Sequence, residues 1–247
     1  MGARSSGLAY ASACLADEWS LFNNVAGLAR LEKTTAAFTY DAQPGFPTFN
    51  KMAATFAMPI KPGVAGIGLF RFGDDLYSEQ IISMGFANTY GLASLGVKVN
   101  YIQYTATGFG SKGLFSISFG GIAKLTEKIY VGAHVTNINQ PNISKTENEK
   151  LPTYLTVGIG AQITSQTYIT TELEKELSHT VRWKSGIEYK AFKKFIGRTG
   201  FSVNPNTIFF GFGFRPSRFA LDYTYQHNFV IGSRHQVTVG YFFGRQQ

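Results

Sequence analysis

Two runs decide the fold: F-A-L-D-Y-T-Y-Q-H at Phe219–His227 and H-Q-V-T-V-G-Y-F-F at His235–Phe243, joined by N-F-V-I-G-S-R at Asn228–Arg234. In the first, Phe219, Leu221, Tyr223 and Tyr225 alternate with Ala220, Asp222, Thr224 and Gln226. In the second, Val237, Val239, Tyr241 and Phe243 alternate with Gln236, Thr238, Gly240 and Phe242. Successive side chains of a strand point to opposite faces, so both runs are strands with one apolar face. A closing aromatic strand after a short Gly-Ser turn has the pattern of a membrane-spanning β-barrel.

The composition points the same way. Of 247 residues only 15% are charged, 15% are aromatic and 27 are glycine. A soluble domain carries charge nearer a quarter of its residues. No stretch approaches the eighteen or so consecutive apolar residues of a spanning helix, whereas strands with one face to lipid and one to a lumen average to the mean hydropathy near zero observed here. The net charge of +8 is scattered, with Lys193-Lys194 and Arg215/Arg218 where strands meet turns, so it is read as barrel-end charge rather than as a nucleic-acid surface. Cys14 is the single cysteine and is expected to be a buried thiol. Residues 1–20 lack a basic start followed by an apolar core, so an exported chain is expected to be in its mature form.

Residues 1–30 form a small-residue segment without period-two alternation. From Thr34 onward strand candidates follow one another near 34–40, 51–59, 64–72, 77–88, 92–104, 113–125, 129–138, 153–163, 167–177, 180–191, 194–203, 207–215, 218–227 and 235–243. Residues 31–247 thus hold about fourteen strands, with roughly fifteen residues for each strand and its turn, which suits membrane strands of about 9–11 residues with short connections. The longest break, Asn139–Pro152, is polar and Pro-flanked and is placed outside the sheet as a loop. A closed sheet of this size encloses more space than its side chains fill. The expected fold is therefore an all-β, closed antiparallel barrel of about fourteen strands, residues 31–247, with apolar residues facing outward. Residues 1–30 would be the hatch or plug filling its lumen.

The chain also carries a family resemblance. Gly2-Ala3-Arg4-Ser5-Ser6-Gly7-Leu8-Ala9, then Ala16-Asp17-Glu18-Trp19 and Asn23-Asn24-Val25-Ala26-Gly27-Leu28-Ala29, resembles the start of FadL-like barrels, especially the PorV/PorQ group of Bacteroidetes. That group runs G-A-R-A-A-G-M-G-x-A, then A-D-D and W-N-P-A-G-L-A; here W-N-P is replaced by Asn23-Asn24-Val25 and the second acid is Glu18. Leu221-Asp222-Tyr223 with Ile231-Gly232-Ser233-Arg234-His235-Gln236-Val237 is similar to the group's closing D-Y and L-G-x-x-H-R segments. The resemblance implies a fourteen-stranded barrel with an N-terminal hatch built on Gly2, Arg4, Gly7, Asp17, Glu18, Trp19, Asn24, Gly27 and Leu28. It further implies a role in type IX protein secretion, as partner or plug of a large translocon pore protein together with other secretion-system subunits. A FadL-like outer-membrane transporter of fatty acids or other hydrophobic compounds is the alternative. The expected location is the outer membrane, in contact with its lipid or lipopolysaccharide; a periplasmic barrel docked on an outer-membrane pore is the second location.

No catalytic, cofactor or metal site is expected, and the chain is read as non-enzymatic. His134, His179, His227 and His235 are too dispersed for a local metal motif. Gly66-Ile67-Gly68 lacks the strand-to-helix context of a dinucleotide fingerprint, and no Ser or Cys has an identifiable triad. Asp74-Asp75 is read as a turn. Glu172, Glu174 and Glu176 share one strand face; they are read as a solvated strand end beside Lys175, with a lumen-lining ladder as the other possibility. Tyr168, Thr170, Glu172 and Glu174 are expected to weaken the outer apolar band.

Overall fold

The computed structural model describes residues 1–143, 149–177 and 179–244. The barrel strands begin with β1 (Thr35–Ala42), β2 (Lys51–Ile60), β3 (Gly63–Gly73), β4 (Tyr77–Tyr90), β5 (Ala93–Ala106), β6 (Gly110–Lys124) and β7 (Ile129–Thr136). They continue with β8 (Tyr154–Gln162), β9 (Thr167–Glu176), β10 (Arg182–Lys190), β11 (Phe195–Val203), β12 (Thr207–Phe214), β13 (Phe219–Asn228) and β14 (Gly232–Phe242). Each pairs antiparallel with its neighbours in sequence, and β1 pairs with β14 to close the barrel. The closing register sets Thr35 opposite Phe242 and Tyr40 opposite Val237, so the final strand is the seam its alternation predicts.

Period two sorts the side chains. Along β13 Leu221 is 49% exposed on the outer face while Asp222 is fully buried on the inner one. The outer surface carries Phe212, Leu173, Val157, Leu155, Val97 and Val239, whereas Thr238, Thr156, Ser116 and Ser83 point inward. Apolar residues outside and small or polar residues inside is the reverse of a soluble barrel and matches a lipid-facing wall.

The two ends differ. At the end where the chain enters β1 and leaves β14, the terminal end, the six strand connections span two to four residues. At the opposite, open end they include 43–50 and 137–153. The described parts of the second lie outside the fourteen strands, as expected for Asn139–Pro152. The connection also packs back on the wall: Ile138 N donates to Ile117 O at 2.9 Å, and Leu151 is buried against Ile102 and Leu114. Residues Ser144–Asn148 of that loop lie outside the described residues.

The inward wall of β9 also corrects the sequence reading. Glu172 and Glu174 face the lumen together with Tyr168 and Thr170, and Glu172 is 2% exposed. The outer face of β9 is Ile169, Thr171, Leu173 and Lys175, so the apolar band continues across it until the last rungs. Hydrophobicity alone hides this, because a charge on an inward rung breaks no apolar alternation.

In liposomes, Val157→Arg, which places a cation mid-strand on the outer face, is expected to lower the unfolding free energy by about 2–4 kcal/mol. A denaturant titration followed by tryptophan fluorescence reads this. An unchanged midpoint would show that the face does not meet lipid.

Candidate functional site in the barrel lumen

Residues 1–31 pack against the inward faces of the wall. They comprise a short helix, α1 (Ala3–Gly7), turns, and a 3-10 turn at Val25–Arg30 capped by Asn24, whose Oδ1 accepts from Ala26 N at 3.2 Å. Most of the segment is buried; Leu8, Leu21, Ala26 and Leu28 have no exposure at all. Close approach is possible because the wall presents glycine. A Cβ at Gly186 would lie 2.6 Å from Leu8 Cα, one at Gly96 would lie 2.8 Å from Val25 C, and one at Gly132 would lie 2.1 Å from Ala13 O. At these rungs the lumenal side chain is omitted and backbone packs on backbone.

An irregular segment also leaves N–H and C=O groups without regular partners. Wall side chains meet them. Thr238 Oγ1 accepts from Ala3 N at 2.9 Å and Thr224 Oγ1 donates to Ala3 O at 2.5 Å. Thr170 Oγ1 donates to Ala11 O at 3.1 Å, and Glu172 Oε2 accepts from both Ser12 N and Ala13 N at 2.8 Å.

The resemblance-derived residues fall as follows. Gly2 has φ +86°, and a Cβ there would lie 2.4 Å from the Trp19 ring. Trp19 is buried on Ala37 and Ala53 beside Phe22. Gly7 backs onto Arg198 and Gly211, and Gly27 sits against Leu15 O and Ser20 Oγ. Leu28 fills a cluster with Ala57, Val64 and Ala87. Asn24 Nδ2 lies 2.7 Å from Ala13 O, 3.2 Å from Gly121 O and 3.4 Å from Ala133 O, joining two parts of the segment to β6 and β7. Asp17 Oδ1 accepts from Trp19 N at 2.9 Å.

Arg4, Asp17 and Glu18 take part in an alternating chain of charge. Asp17 Oδ2 lies 3.3 Å from Arg4 Nη1, and Arg4 grips Glu188 through Nε at 2.9 Å and Nη2 at 3.0 Å. Glu188 Oε2 accepts from Arg198 Nε at 2.7 Å, and Arg198 Nη1 donates to Asp222 Oδ1 at 2.6 Å. Arg215 Nη2 bridges Asp222 Oδ2 at 2.9 Å and Glu18 Oε1 at 3.2 Å. The chain starts and ends on adjacent residues of the segment, Asp17 and Glu18, and passes through the wall between them. Burial pushes the Glu18 carboxyl above its ordinary value, opposed by the Arg215 guanidinium. A second cluster joins Lys184 Nζ to Glu172 at 3.0 Å and Glu174 at 2.6 Å, with Arg182 on Glu174 at 2.9 Å.

Of the wall partners, Glu188, Arg198 and Lys184 were not singled out in the sequence; Asp222 was named only within the closing D-Y segment, and Arg215, expected as barrel-end charge, instead turns inward to Asp222 and Glu18. Their signal was present: charges such as Glu188, between Ile187 and Tyr189, occupy the inward parity of strands whose other face is apolar. Among the histidines, His134 points into the lumen, while His235 Nδ1 lies 2.7 Å from Tyr223 Oη and His227 Nδ1 lies 3.0 Å from Ser233 Oγ. Among the described residues no group of three metal-ligating side chains forms.

Above the segment, a cavity of about 580 Å³ reaches the open end. Met1, Tyr10, Phe22 and Asn23 form its floor, and His134, Tyr154, Lys184, Phe209, Asn228 and Arg234 are on its walls. The Tyr10 and Phe209 rings meet edge-to-face at 5.9 Å. Arg234 is held by Gln43 Oε1 at 2.8 and 3.0 Å.

These features define a fourteen-stranded antiparallel barrel with an occupied lumen. Among solved structures, the same fold is found in the P. putida toluene transporter TodX, at TM-score 0.77 and 11% identity over 100% of this chain and 99% of that one. The CymD monoaromatic hydrocarbon channel matches at TM-score 0.69 and 13% identity, over 100% and 98%. No family model matches the sequence, and no curated protein does.

Two outcomes test the site. Asp222→Ala removes the carboxylate shared by Arg198 and Arg215, leaving them only Glu188 and Glu18 respectively, and is expected to cost about 3–5 kcal/mol; the paired change Asp222→Asn with Arg198→Met should recover much of that loss in the same unfolding assay. Cys14 Sγ lies 3.3 Å from Gly158 O, and burial pushes its thiol up to about 12. It should therefore resist maleimide in the folded protein at neutral pH and react once residues 1–31 leave the wall; rapid labelling of the intact barrel would contradict this packing.

Proposed function

We propose that the protein is an outer-membrane barrel that admits hydrophobic compounds, fatty acids among them, from the open end, with residues 1–30 as its hatch and residues 31–247 as the barrel. The carrying observation is the cavity at the open end, floored by a segment that is bound to the wall through side chains and lies outside the hydrogen-bond ladder. Tyr10, Phe22, Tyr154 and Phe209 offer aromatic surface to an apolar body, and Arg234 offers a cation to a carboxylate head. Full-length likeness in fold to a toluene transporter and a monoaromatic hydrocarbon channel supports this reading. Short turns at the terminal end and longer loops at the open end match barrels whose termini face the periplasm.

The sequence resemblance to the PorV/PorQ group supports a second reading, a non-conducting subunit of a type IX translocon. The occupied lumen is what favours it, since a partner-binding barrel need not conduct.

Proteoliposomes separate the two. Dodecanoate should enter those holding the wild-type chain faster than empty ones, and Arg4→Ala with Asn24→Ala, which loosens the hatch, should raise the rate several-fold further. Entry at the empty-liposome rate for both forms would remove the channel reading. Co-purification with a large pore protein after gentle extraction would then favour the secretion reading.

A further inference from the structure

The excess positive charge is gathered at the terminal end. Lys61, Lys128, Lys193, Lys194 and Arg218 lie in its turns or beside them, all exposed. None of the five takes part in an ion pair among the described residues, whereas Lys124 on the same rim is neutralised by Glu127 at 2.7 Å. At the open end Asp74, Asp75, Glu149 and Glu176 largely offset the basic residues there.

Two features say what the basic rim meets. The five residues sit in the β2–β3, β6–β7, β10–β11 and β12–β13 turns, and so encircle the barrel instead of forming a patch on one side. Each also stands beside an exposed apolar residue on the same turn: Ile60 next to Lys61, Leu125 and Ile129 around Lys128, Phe192 before Lys193-Lys194, and Phe219 after Arg218. An apolar anchor coupled to a cation at the edge of an apolar band is the arrangement that sits in acyl chains while its charge reaches the phosphate plane. A protein partner reading charge would instead require the cations on one side.

We propose that this belt binds the headgroups of anionic phospholipids in the leaflet that faces the terminal end, through ammonium–phosphate and guanidinium–phosphate contacts. The proposal rests on the membrane-embedded reading above. The full chain is refolded into liposomes of equal phosphatidylglycerol and phosphatidylethanolamine, extracted gently, and its retained lipids are weighed by native mass spectrometry. Phosphatidylglycerol should dominate on the wild type. Lys61→Gln, Lys193→Gln, Lys194→Gln and Arg218→Gln together should reduce the preference to the single contact that Lys128 still supplies, each contact contributing about fivefold, while Lys112→Gln with Lys150→Gln at the open end should leave it intact. Heat-dependent gel migration checks that every variant is folded. Equal retention of both lipids by an inserted wild type, or a preference unchanged in the quadruple variant, overturns the proposal alone. Failure of the wild type to insert overturns the membrane reading with it.

Discussion

The pairing of β1 with β14 is the constraint on which everything else depends. In hydrocarbon an unpaired backbone amide costs several kcal/mol, so a sheet survives there only without edges. The register from Thr35–Phe242 to Ala42–His235 removes both remaining edges at once. Closing fourteen strands then fixes a circumference, and with it a lumen wider than the inward side chains can fill. The occupied interior is a consequence of closure.

What occupies the lumen must satisfy its own backbone. Residues 1–31 are mostly turns, and α1, one 3-10 turn and isolated turn bonds such as Leu15 N to Ser12 O and Ser20 N to Asp17 O pair only part of their backbone groups. The inward rungs are accordingly glycine where the backbones touch, as at Gly96, Gly132 and Gly186, and hydroxyl or carboxylate where a peptide group needs a partner, as at Thr170, Glu172, Thr224 and Thr238. The alternation that first marks these runs as strands thus has two unlike causes. Lipid selects the outer set, and the bonding needs of a separate segment select the inner one.

That division explains what could be read from the sequence. All fourteen strands were legible, with ends displaced by at most about three residues, because Leu221, Tyr223 and Val237 repeat a single physical demand along every strand. Arg4, Asp17 and Glu18 were reached through resemblance, and their positions in the charge chain were not. A salt-bridge partner is set by which strands become neighbours and by their register: Glu188 meets Arg198 because those residues pair across β10 and β11, and Arg198 reaches Asp222 across Gly211 and Gly213 of β12. Glu172 and Glu174 were misplaced for a related reason. Beside Lys175 they resemble a solvated strand end, and only the pairing of Glu172 with Lys184 shows that their charge is met inside.

The same chain of charge shows how far the wall depends on the segment inside it. Its wall members, Glu188, Arg198, Asp222 and Arg215, are two acids and two bases joined to one another. Its members on the lumenal segment are Arg4, Asp17 and Glu18. Arg4 joins the set at Glu188 and Glu18 joins it at Arg215, so the wall members form a connected set that is neutral by itself. Breaking a buried pair is costly chiefly when an uncompensated charge remains, and here none remains in the wall. The segment's other contacts with the wall are side chain to backbone hydrogen bonds outside the strand ladder and apolar packing such as Leu28 on Ala57 and Val64 and Trp19 on Ala37 and Ala53. The wall therefore keeps its strand hydrogen bonds and its own charge balance without drawing on residues 1–30, so the closing of the barrel and the filling of its interior are separate demands on the sequence.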